Sequence, residues 1–155
     1  KVQEALLALG IDRTLIELPV SARTSREAAG ALGVDVAQIA KSLVFTSNGT
    51  PVLAIASGAN RVDERKLEQL TGGKIRKADA ETVKQATGFA IGGVPPLAHA
   101  TPLPTYIDRD LLQHAVIYPA GGVPECVFPI SPQELLRATS GQVVDIRQDQ
   151  SGGQA

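Results

Sequence analysis

Two apolar runs around a tight turn place the strongest constraint on how this chain can fold. The runs are KSLVFT at residues 41–46 and PVLAIAS at residues 51–57, and the turn sequence SNG lies between them. Asn-Gly favours the positive φ angles that a short hairpin turn requires. The pattern therefore predicts two antiparallel strands joined by a hairpin.

Helix and strand signals alternate along the rest of the chain. Capping residues predict helix starts at Thr24, Asp63, Asp79 and Ser131, and the first and last have a reciprocal glutamate three residues later. Short helices are also predicted over Lys1–Leu9, which Gly10 ends, and after Asp35 and Asp108. Further strands are predicted in the runs TLIEL, GGKIRKA, FAI, TYI, AVIYP, CVFPI and QVVDI. We expect one α/β domain over residues 1–147, with a mixed, largely antiparallel sheet and short helices around it, and a flexible polar tail over residues 148–155.

Composition excludes several classes of protein. With 43% hydrophobic and 20% charged residues, the chain is typical of a globular domain rather than a disordered one. No apolar run approaches the roughly 20 residues that span a bilayer. The single cysteine, Cys126, cannot form an internal disulfide, so we expect a reducing, cytoplasmic location.

The common catalytic motifs are absent from the sequence. The two histidines, His99 and His114, have no ligand pattern around them, so we expect neither a metal nor another cofactor. No G-x-S-x-G serine motif is present, and GFAIGG lacks the lysine and hydroxyl of a phosphate-binding loop. Cys126 lies in an apolar strand without a neighbouring histidine, which favours a core position over a nucleophile.

One lysine in the first strand of the hairpin is predicted to lie on the apolar face of that strand. Strand alternation puts Lys41, Leu43 and Phe45 on one face, so the ammonium shares an apolar surface. A buried charge is costly unless it is paired. Lys41 is therefore either a lysine that extends to water from a strand end or a cation held in a pocket for an anionic or ester group.

A stiff loop whose side chains carry no catalytic groups follows the helix that is predicted to start at Asp79. Gly92 and Gly93 permit positive φ and close backbone approach, while Pro95 and Pro96 stiffen the chain after Val94. Exposed N–H groups in such a loop are suited to an oxyanion or carbonyl group, although a purely structural turn fits the same spacing. AGGVPE repeats the pattern at Gly121 and Gly122, so the two loops are predicted to border one cleft. His99 follows the prolines and is a candidate ligand contact, with a structural role as the alternative.

Four segments together resemble the YbaK/EbsC family, the free-standing relatives of the prolyl-tRNA synthetase editing domain. They are IAKSLVF, ASGANRVDERKL, ATGFAIGGVPPLAH and YPAGGVPECVFPISPQELL, and the likeness runs from the first helix to VVDI. The resemblance implies a deacylase that works in trans on mischarged tRNA, typically tRNA(Pro). It assigns Lys41, Gly92 and Gly93 to catalysis, and Val94, Pro95, Pro96, His99, Gly121 and Gly122 to substrate binding.

Ester hydrolysis of this kind is compatible with a loop that has no catalytic side chains, because an aminoacyl ester is already activated. Such an enzyme needs a polarised carbonyl and a positioned water rather than its own nucleophile. The largely apolar GGVPECVFPI segment favours a small acyl group, with alanyl, seryl, threonyl, cysteinyl and 2-aminobutyryl left open. Prolyl-tRNA synthetase is a possible partner under this resemblance. The alternatives are a non-catalytic module that binds the aminoacylated CCA end or a synthetase, and a hydrolase of free aminoacyl esters.

Basic residues are concentrated in one part of the chain, although the net charge is only −1. Seven of the 15 lysines and arginines lie between residues 61 and 84, namely Arg61, Arg65, Lys66, Lys74, Arg76, Lys77 and Lys84. Acidic residues are interspersed among them, which is typical of a solvated helical face. Contact with the acceptor stem of tRNA is the functional alternative.

Overall fold

The computed structural model describes residues 1–19, 22 and 24–149, and it has an α/β architecture. The α-helices are α1 (Val2–Ala8), α2 (Ser25–Leu32), α3 (Glu64–Thr71), α4 (Ala80–Thr87) and α5 (Pro132–Thr139), with 3-10 turns at Val36–Gln38 and Arg109–Gln113. The strands are β1 (Ile16–Glu17), β2 (Ile39–Ser47), β3 (Thr50–Ser57), β4 (Ile75–Lys77), β5 (Thr105–Asp108), β6 (Tyr118–Pro119), β7 (Cys126–Val127) and β8 (Gln142–Val144). Within the described ranges no helix is long and apolar enough to cross a membrane.

The helix starts predicted from capping residues are confirmed. The Thr24 hydroxyl accepts from the Glu27 N–H at 3.1 Å, and Ser131 does the same for Glu134 at 3.1 Å, so both helices carry capping boxes. Asp79 accepts from the Thr82 N–H at 2.8 Å. These local bonds satisfy orphan N–H groups of the first turn, which is why they could be recognised without tertiary information.

The predicted hairpin forms the centre of the main sheet. β2 and β3 pair antiparallel from Ala40–Ser57 to Ser47–Thr50, and the sheet order is β4-β2-β3-β5-β8. Asn48 and Gly49 both have positive φ, as the tight turn requires. β3–β5 and β5–β8 are parallel, so the sheet is mixed. A second sheet of two strands pairs β1 with β7.

The outer edge of β2 is covered only at its two ends. β6 pairs with residues 39–40 and β4 pairs with residues 45–47, and no described strand covers residues 41–44 on that side. We call this opening the edge gap. It lies in the longest strand of the sheet, where a continuous ladder would be the ordinary arrangement.

Each face of the sheet carries its own apolar cluster. Val44, Leu53, Ile55 and Ile107 pack with α1, α4 and α5 on one face. Phe45, Ala54 and Ala56 pack with α3 on the other, where Leu67 is completely buried. This division confirms the strand alternation predicted for β2, and it places Lys41 on the α3 face with Leu43 and Phe45.

The strand predicted at FAI is wrong. Gly88 ends α4 with a φ of 85°, and the Thr87 hydroxyl accepts from the Phe89 N–H at 3.0 Å. Ala90 and Ile91 are exposed and enter a turn instead of a sheet. Local side-chain bonding and a left-handed cap thus outweighed the apolar character of the run.

Part of the predicted C-terminal tail can be described. The Gln148 N–H donates to the Arg61 carbonyl at 2.8 Å, and Lys66 lies 3.3 Å from the carboxylate of Asp149. Residues 150–155 lie outside the described residues, so the flexibility predicted for them stays a prediction.

Candidate active site

A cavity of about 590 Å³ opens at the edge gap of β2. Its lining comes from β2, the loop after α4, the loop after β6, and the start of α3. The residues that line it include Lys41, Ser42, Arg61, Glu64, Lys77, Ile91, Gly92, Val94, Ala120 and Pro124. The cavity therefore brings together segments that are more than 80 residues apart in the sequence.

Lys41 lies in this cavity without a partner. Its ammonium forms no hydrogen bond or ion pair with any described residue. Burial lowers the pKa of Lys41 below its usual value of 10.5, Arg61 lowers it further, and Asp108 acts in the opposite direction. A half-buried cation without a counter-ion is unfavourable for folding, so it is available for an anionic or electron-rich ligand.

The register of three strands relates Lys41 to Asp108. Lys41 pairs with Ala56, and the pairing of Ile55 with Ile107 puts Asp108 beside Ala56 on the same face. Two strand spacings separate the Cα atoms of Lys41 and Asp108 by roughly 10 Å. Ala56 lies between them in the register, and no hydrogen bond or ion pair joins the two side chains. Asp108 thus acts on Lys41 as a nearby charge rather than as a salt-bridge partner.

Asp108 is held in place by the hydrogen bonds that it accepts. It is 1% exposed, and its carboxylate accepts from the Ser57 N–H at 3.1 Å, the Asn60 amide at 2.8 Å and the Asp110 N–H at 2.9 Å. Sequence reasoning identified Asp108 only as a helix cap. A carboxylate directly after the buried strand TYI was a usable signal, but its neighbours come from strands about 50 residues away.

The two glycines of the first loop have different structural tasks. Gly92 has a φ of 92°, lines the cavity, and its N–H donates to no described residue. Gly93 lacks the predicted positive φ, and its N–H already donates to the Ala90 carbonyl at 3.0 Å. The next residue, Val94, also lines the cavity with an N–H that has no described acceptor. The available donors are therefore at Gly92 and Val94, and the donor predicted at Gly93 is occupied.

The second loop borders the same cavity, as the repeated G-G-V-P pattern predicted. It contributes Ala120 and Pro124 to the lining. The loops touch at Gly93, where an added Cβ would lie 2.6 Å from the Cα of Val123. Glycine at this position is therefore required for close approach of two backbones.

Several residues predicted to bind substrate do not line the cavity. These are Pro95, Pro96, His99, Gly121 and Gly122, together with the predicted catalytic Gly93. The Nε2 atom of His99 lies 2.7 Å from the Pro95 carbonyl, so the ring ties the loop to itself. Burial lowers the pKa of His99 below 6.5, while the bond to Pro95 opposes this shift. His99 and Pro95 thus stabilise the first loop without lining the cavity.

Ser42 is a polar residue that sequence reasoning missed. The Gly58 N–H donates to the Ile39 carbonyl and the Ala78 N–H to the Val44 carbonyl, so alternation directs the Ser42 N–H and C=O into the edge gap. Neither has a described partner, and the buried Ser42 hydroxyl also has none. Buried polar groups are nearly always paired in native proteins, so this concentration of unpaired groups marks a place for a ligand.

Cys126 does not belong to the cavity. It is 7% exposed, and burial is the main reason that the pKa of its thiol is raised, with Glu17 and Glu125 adding to the effect. A protonated, enclosed thiol is a poor nucleophile. The interpretation of Cys126 as a core residue therefore agrees with its surroundings. In the described ranges, no three histidine, cysteine or acidic side chains are grouped so as to hold a metal.

The family comparison decides what kind of site this is. The family model for the aminoacyl-tRNA editing domain matches residues 20–138, which include the hairpin, both glycine loops and every residue that lines the cavity except Gln148. The chain belongs to the aminoacyl-tRNA editing domain family. Its activity is accordingly that of a hydrolase that edits aminoacyl-tRNA, and the YbaK/EbsC resemblance in the sequence is confirmed.

Individual relatives of this editing domain agree with the family. A solved structure described as a "putative trans-editing enzyme for prolyl tRNA synthetase" superposes with a TM-score of 0.92 at 48% identity, covering 96% of this chain and 95% of that one. YwhH of Bacillus subtilis is 32% identical over 89% of both chains. The "Putative Cys-tRNA(Pro)/Cys-tRNA(Cys) deacylase EbsC" of Enterococcus faecalis is 28% identical over 79% of this chain and 76% of its own. A proline–tRNA ligase of Maridesulfovibrio salexigens is 34% identical over 61% of this chain, and the matched part covers 15% of the ligase.

Proposed function

We propose that this editing domain acts in trans on mischarged tRNA(Pro) and hydrolyses the ester of a small non-cognate amino acid. The single observation that carries the proposal is the pairing, in one cavity, of an ammonium without a partner at Lys41 and free backbone donors at Gly92 and Val94. None of the cavity residues is a cysteine or histidine that would serve as a nucleophile or base. An ammonium and backbone N–H donors are sufficient for the hydrolysis of an ester that is already activated.

In the proposed reaction, a water molecule attacks the acyl carbonyl, and the N–H groups of Gly92 and Val94 stabilise the developing oxyanion. Preorganised donors of this kind contribute about 2.7–4 kcal/mol each to transition-state stabilisation. The ester C–O bond then breaks, the ribose oxygen leaves with a proton, and the free amino acid departs. Lys41 holds the terminal nucleotide against the loop through its ammonium.

The proposed preference for a small acyl group rests on the apolar wall of the cavity. Val44 of β2, Val83 of α4 and Val94 of the first glycine loop all line the cavity. Discrimination by one methyl group is worth only about 1–3 kcal/mol, so several small amino acids remain candidates. The tRNA(Pro) preference rests on the likeness to proline–tRNA ligase and to the trans-editing structure, while EbsC carries both tRNA(Pro) and tRNA(Cys) in its name.

A panel of mischarged tRNAs tests the proposal directly. tRNA(Pro) and tRNA(Cys) are each charged with alanine, serine, threonine, cysteine or 2-aminobutyrate, and release of the labelled amino acid is followed under multiple turnover. We expect catalytic release from tRNA(Pro) carrying at least one of these residues and slower release from correctly charged prolyl-tRNA. Protection of the ester without turnover would instead identify a binding module. Equal rates on free aminoacyl esters would identify a small-molecule hydrolase.

A further inference from the structure

The charged residues of the cavity are mostly cationic, although the chain as a whole has a net charge of −1. Lys41, Arg61 and Lys77 line it together with one carboxylate, that of Glu64. Local excess of one sign in a cleft concentrates ligands of the opposite sign. The cavity is therefore prepared for an anion as well as for an ester.

Arg61 has an unpaired side chain, while its backbone is held by hydrogen bonds. Its side chain is exposed and forms no hydrogen bond or ion pair with a described residue. Its carbonyl accepts from the Gln148 N–H at 2.8 Å, and the next residue, Val62, forms a bridge with Arg147. Arg61 is also close enough to lower the pKa of Lys41. The guanidinium therefore shares the cavity lining with Lys41, and neither cation is paired with a described residue.

Lys77 is a second free cation on the same face of the sheet. β4 places it opposite Phe45, and directly opposed residues share a face, so Lys77 lies on the face that carries Lys41. Four residues along β2 and one strand spacing separate the Cα atoms of Lys41 and Lys77 by about 14 Å. Its exposed side chain has no ion pair with any residue in the described ranges. Lys41 and Lys77 are thus two cations of the cavity lining on one face of the sheet.

We infer that Arg61 and Lys77 bind the phosphodiester groups of the CCA end of tRNA, next to the terminal nucleoside held at Lys41. This inference rests on the proposed function, since it assigns the anion to the tRNA that carries the ester. Both side chains are long, and both are solvated until the nucleic acid arrives. They hold the strand by charge and do not read its bases.

The chain offers a matched control for each cation. Arg76 is the neighbour of Lys77 on β4 and points to the opposite face, and Arg65 lies four residues from Arg61 in the first turn of α3. Both controls are exposed, and neither lines the cavity. The test compares Arg61→Gln and Lys77→Gln with Arg65→Gln and Arg76→Gln.

Two measurements are made on each variant. The first is the ratio of kcat/KM for mischarged tRNA to kcat/KM for the corresponding aminoacyl-adenosine, which lacks phosphate. The second is the affinity for a short single-stranded RNA ending in CCA, followed by fluorescence anisotropy over a range of salt concentrations. Losing one phosphate contact should reduce the salt slope by about 0.7 and weaken binding about 5- to 10-fold at roughly 50 mM salt.

We expect both effects in Arg61→Gln and Lys77→Gln, with the tRNA preference falling by the same factor, and neither effect in the two controls. Equal RNA affinity and salt slope in all four variants would overturn the inference. So would an equal loss on tRNA and on aminoacyl-adenosine, because the cations would then act on the nucleoside or ester. If the unmodified protein hydrolyses nothing, the proposed function fails, and the RNA-binding measurement still decides the inference.

Discussion

At the scale of single residues, the site is built from polar groups that the fold leaves unpaired. Lys41 has no counter-ion, and Ser42 has no described partner for its N–H, C=O or hydroxyl. Such groups reduce the stability of the free protein, and a ligand that pairs them recovers the loss. Adjacent residues on opposite faces of one strand thus contact the cavity from both sides of the sheet.

Lys41→Met removes the ammonium and keeps most of the aliphatic stem. We expect single-turnover deacylation to fall about 100-fold, because the terminal nucleotide is no longer held in place against the oxyanion donors. The free energy of unfolding in urea should stay equal or rise, because a half-buried unpaired charge is removed. A variant that keeps the wild-type rate would exclude Lys41 from the mechanism.

The protonation of Lys41 gives a prediction for alkaline pH. Since burial and Arg61 both lower its pKa, the ammonium is lost, and activity declines, at a pH below 10.5. Arg61→Gln removes the neighbouring positive charge, so the pKa of Lys41 rises and the declining limb moves to higher pH. The profile is measured on aminoacyl-adenosine after subtraction of spontaneous hydrolysis, with Arg65→Gln as the control. A limb that stays in place would show that another group titrates.

Cys126→Ala tests the assignment of the thiol to the core. The truncation should lower the free energy of unfolding by about 1–2 kcal/mol, because a small buried side chain is lost. Deacylation should continue at the wild-type rate, since Cys126 does not line the cavity. An acyl group trapped on its sulfur in mass spectrometry would contradict this assignment.

At the scale of elements, the two glycine loops act as one unit. Gly93 is where their backbones meet, and Gly92 is where the first loop turns into the cavity. The sequence predicted that a backbone loop carries the chemistry and that a second loop borders it. It did not predict how the two glycines divide the work, because close approach at Gly93 depends on Val123, 30 residues later.

Alanine substitutions separate the two tasks. Gly93→Ala pushes a Cβ against the Val123 backbone, so we expect it to lower the free energy of unfolding by about 1–3 kcal/mol and to reduce turnover with it. Gly92→Ala meets only the Cγ of Pro124 at 3.5 Å, and its cost is the left-handed backbone. Urea unfolding and single-turnover rates measure both.

This expectation differs from the catalytic role that the family resemblance assigned to Gly93, because the contact with Val123 makes packing the first thing that the substitution disturbs. If Gly93→Ala unfolds at the wild-type urea concentration, the two loops do not depend on each other for their packing.

At the scale of the whole molecule, distant parts of the chain are joined by a few polar contacts. Arg13 reaches both carboxylate oxygens of Glu134 at 2.6 and 2.8 Å and so ties the segment after α1 to α5. The sequence predicted the Ser131–Glu134 capping box, the hairpin and the α/β class. The order of the strands and this link escaped prediction, because both depend on contacts between residues 28 to 121 positions apart.

Glu134→Gln tests the contribution of the Arg13–Glu134 ion pair through the pH dependence of stability. The Ser131 N–H bond and then Arg13 lower the pKa of Glu134 below 4.5, so its stabilising contribution is present above pH 4.5 and is lost as the pH falls. We expect the variant to be about 1–2 kcal/mol less stable at pH 7, from the weakened cap and ion pair. The difference between the two proteins should shrink on acidification. A constant difference in urea titrations down to pH 3 would assign the effect to packing.

The edge gap has a consequence for the exchange of backbone amides with solvent. In β2, the amides of Lys41 and Leu43 face β3, whereas the amide of Ser42 faces the opening. Deuterium should therefore enter Ser42 much faster than its two neighbours, although all three lie in the longest strand of the sheet. A bound aminoacyl-adenosine analogue that pairs this amide should slow its exchange and leave Lys41 and Leu43 unchanged. The exchange rate of the Ser42 amide, relative to the rates of Lys41 and Leu43, would then report whether the site is occupied.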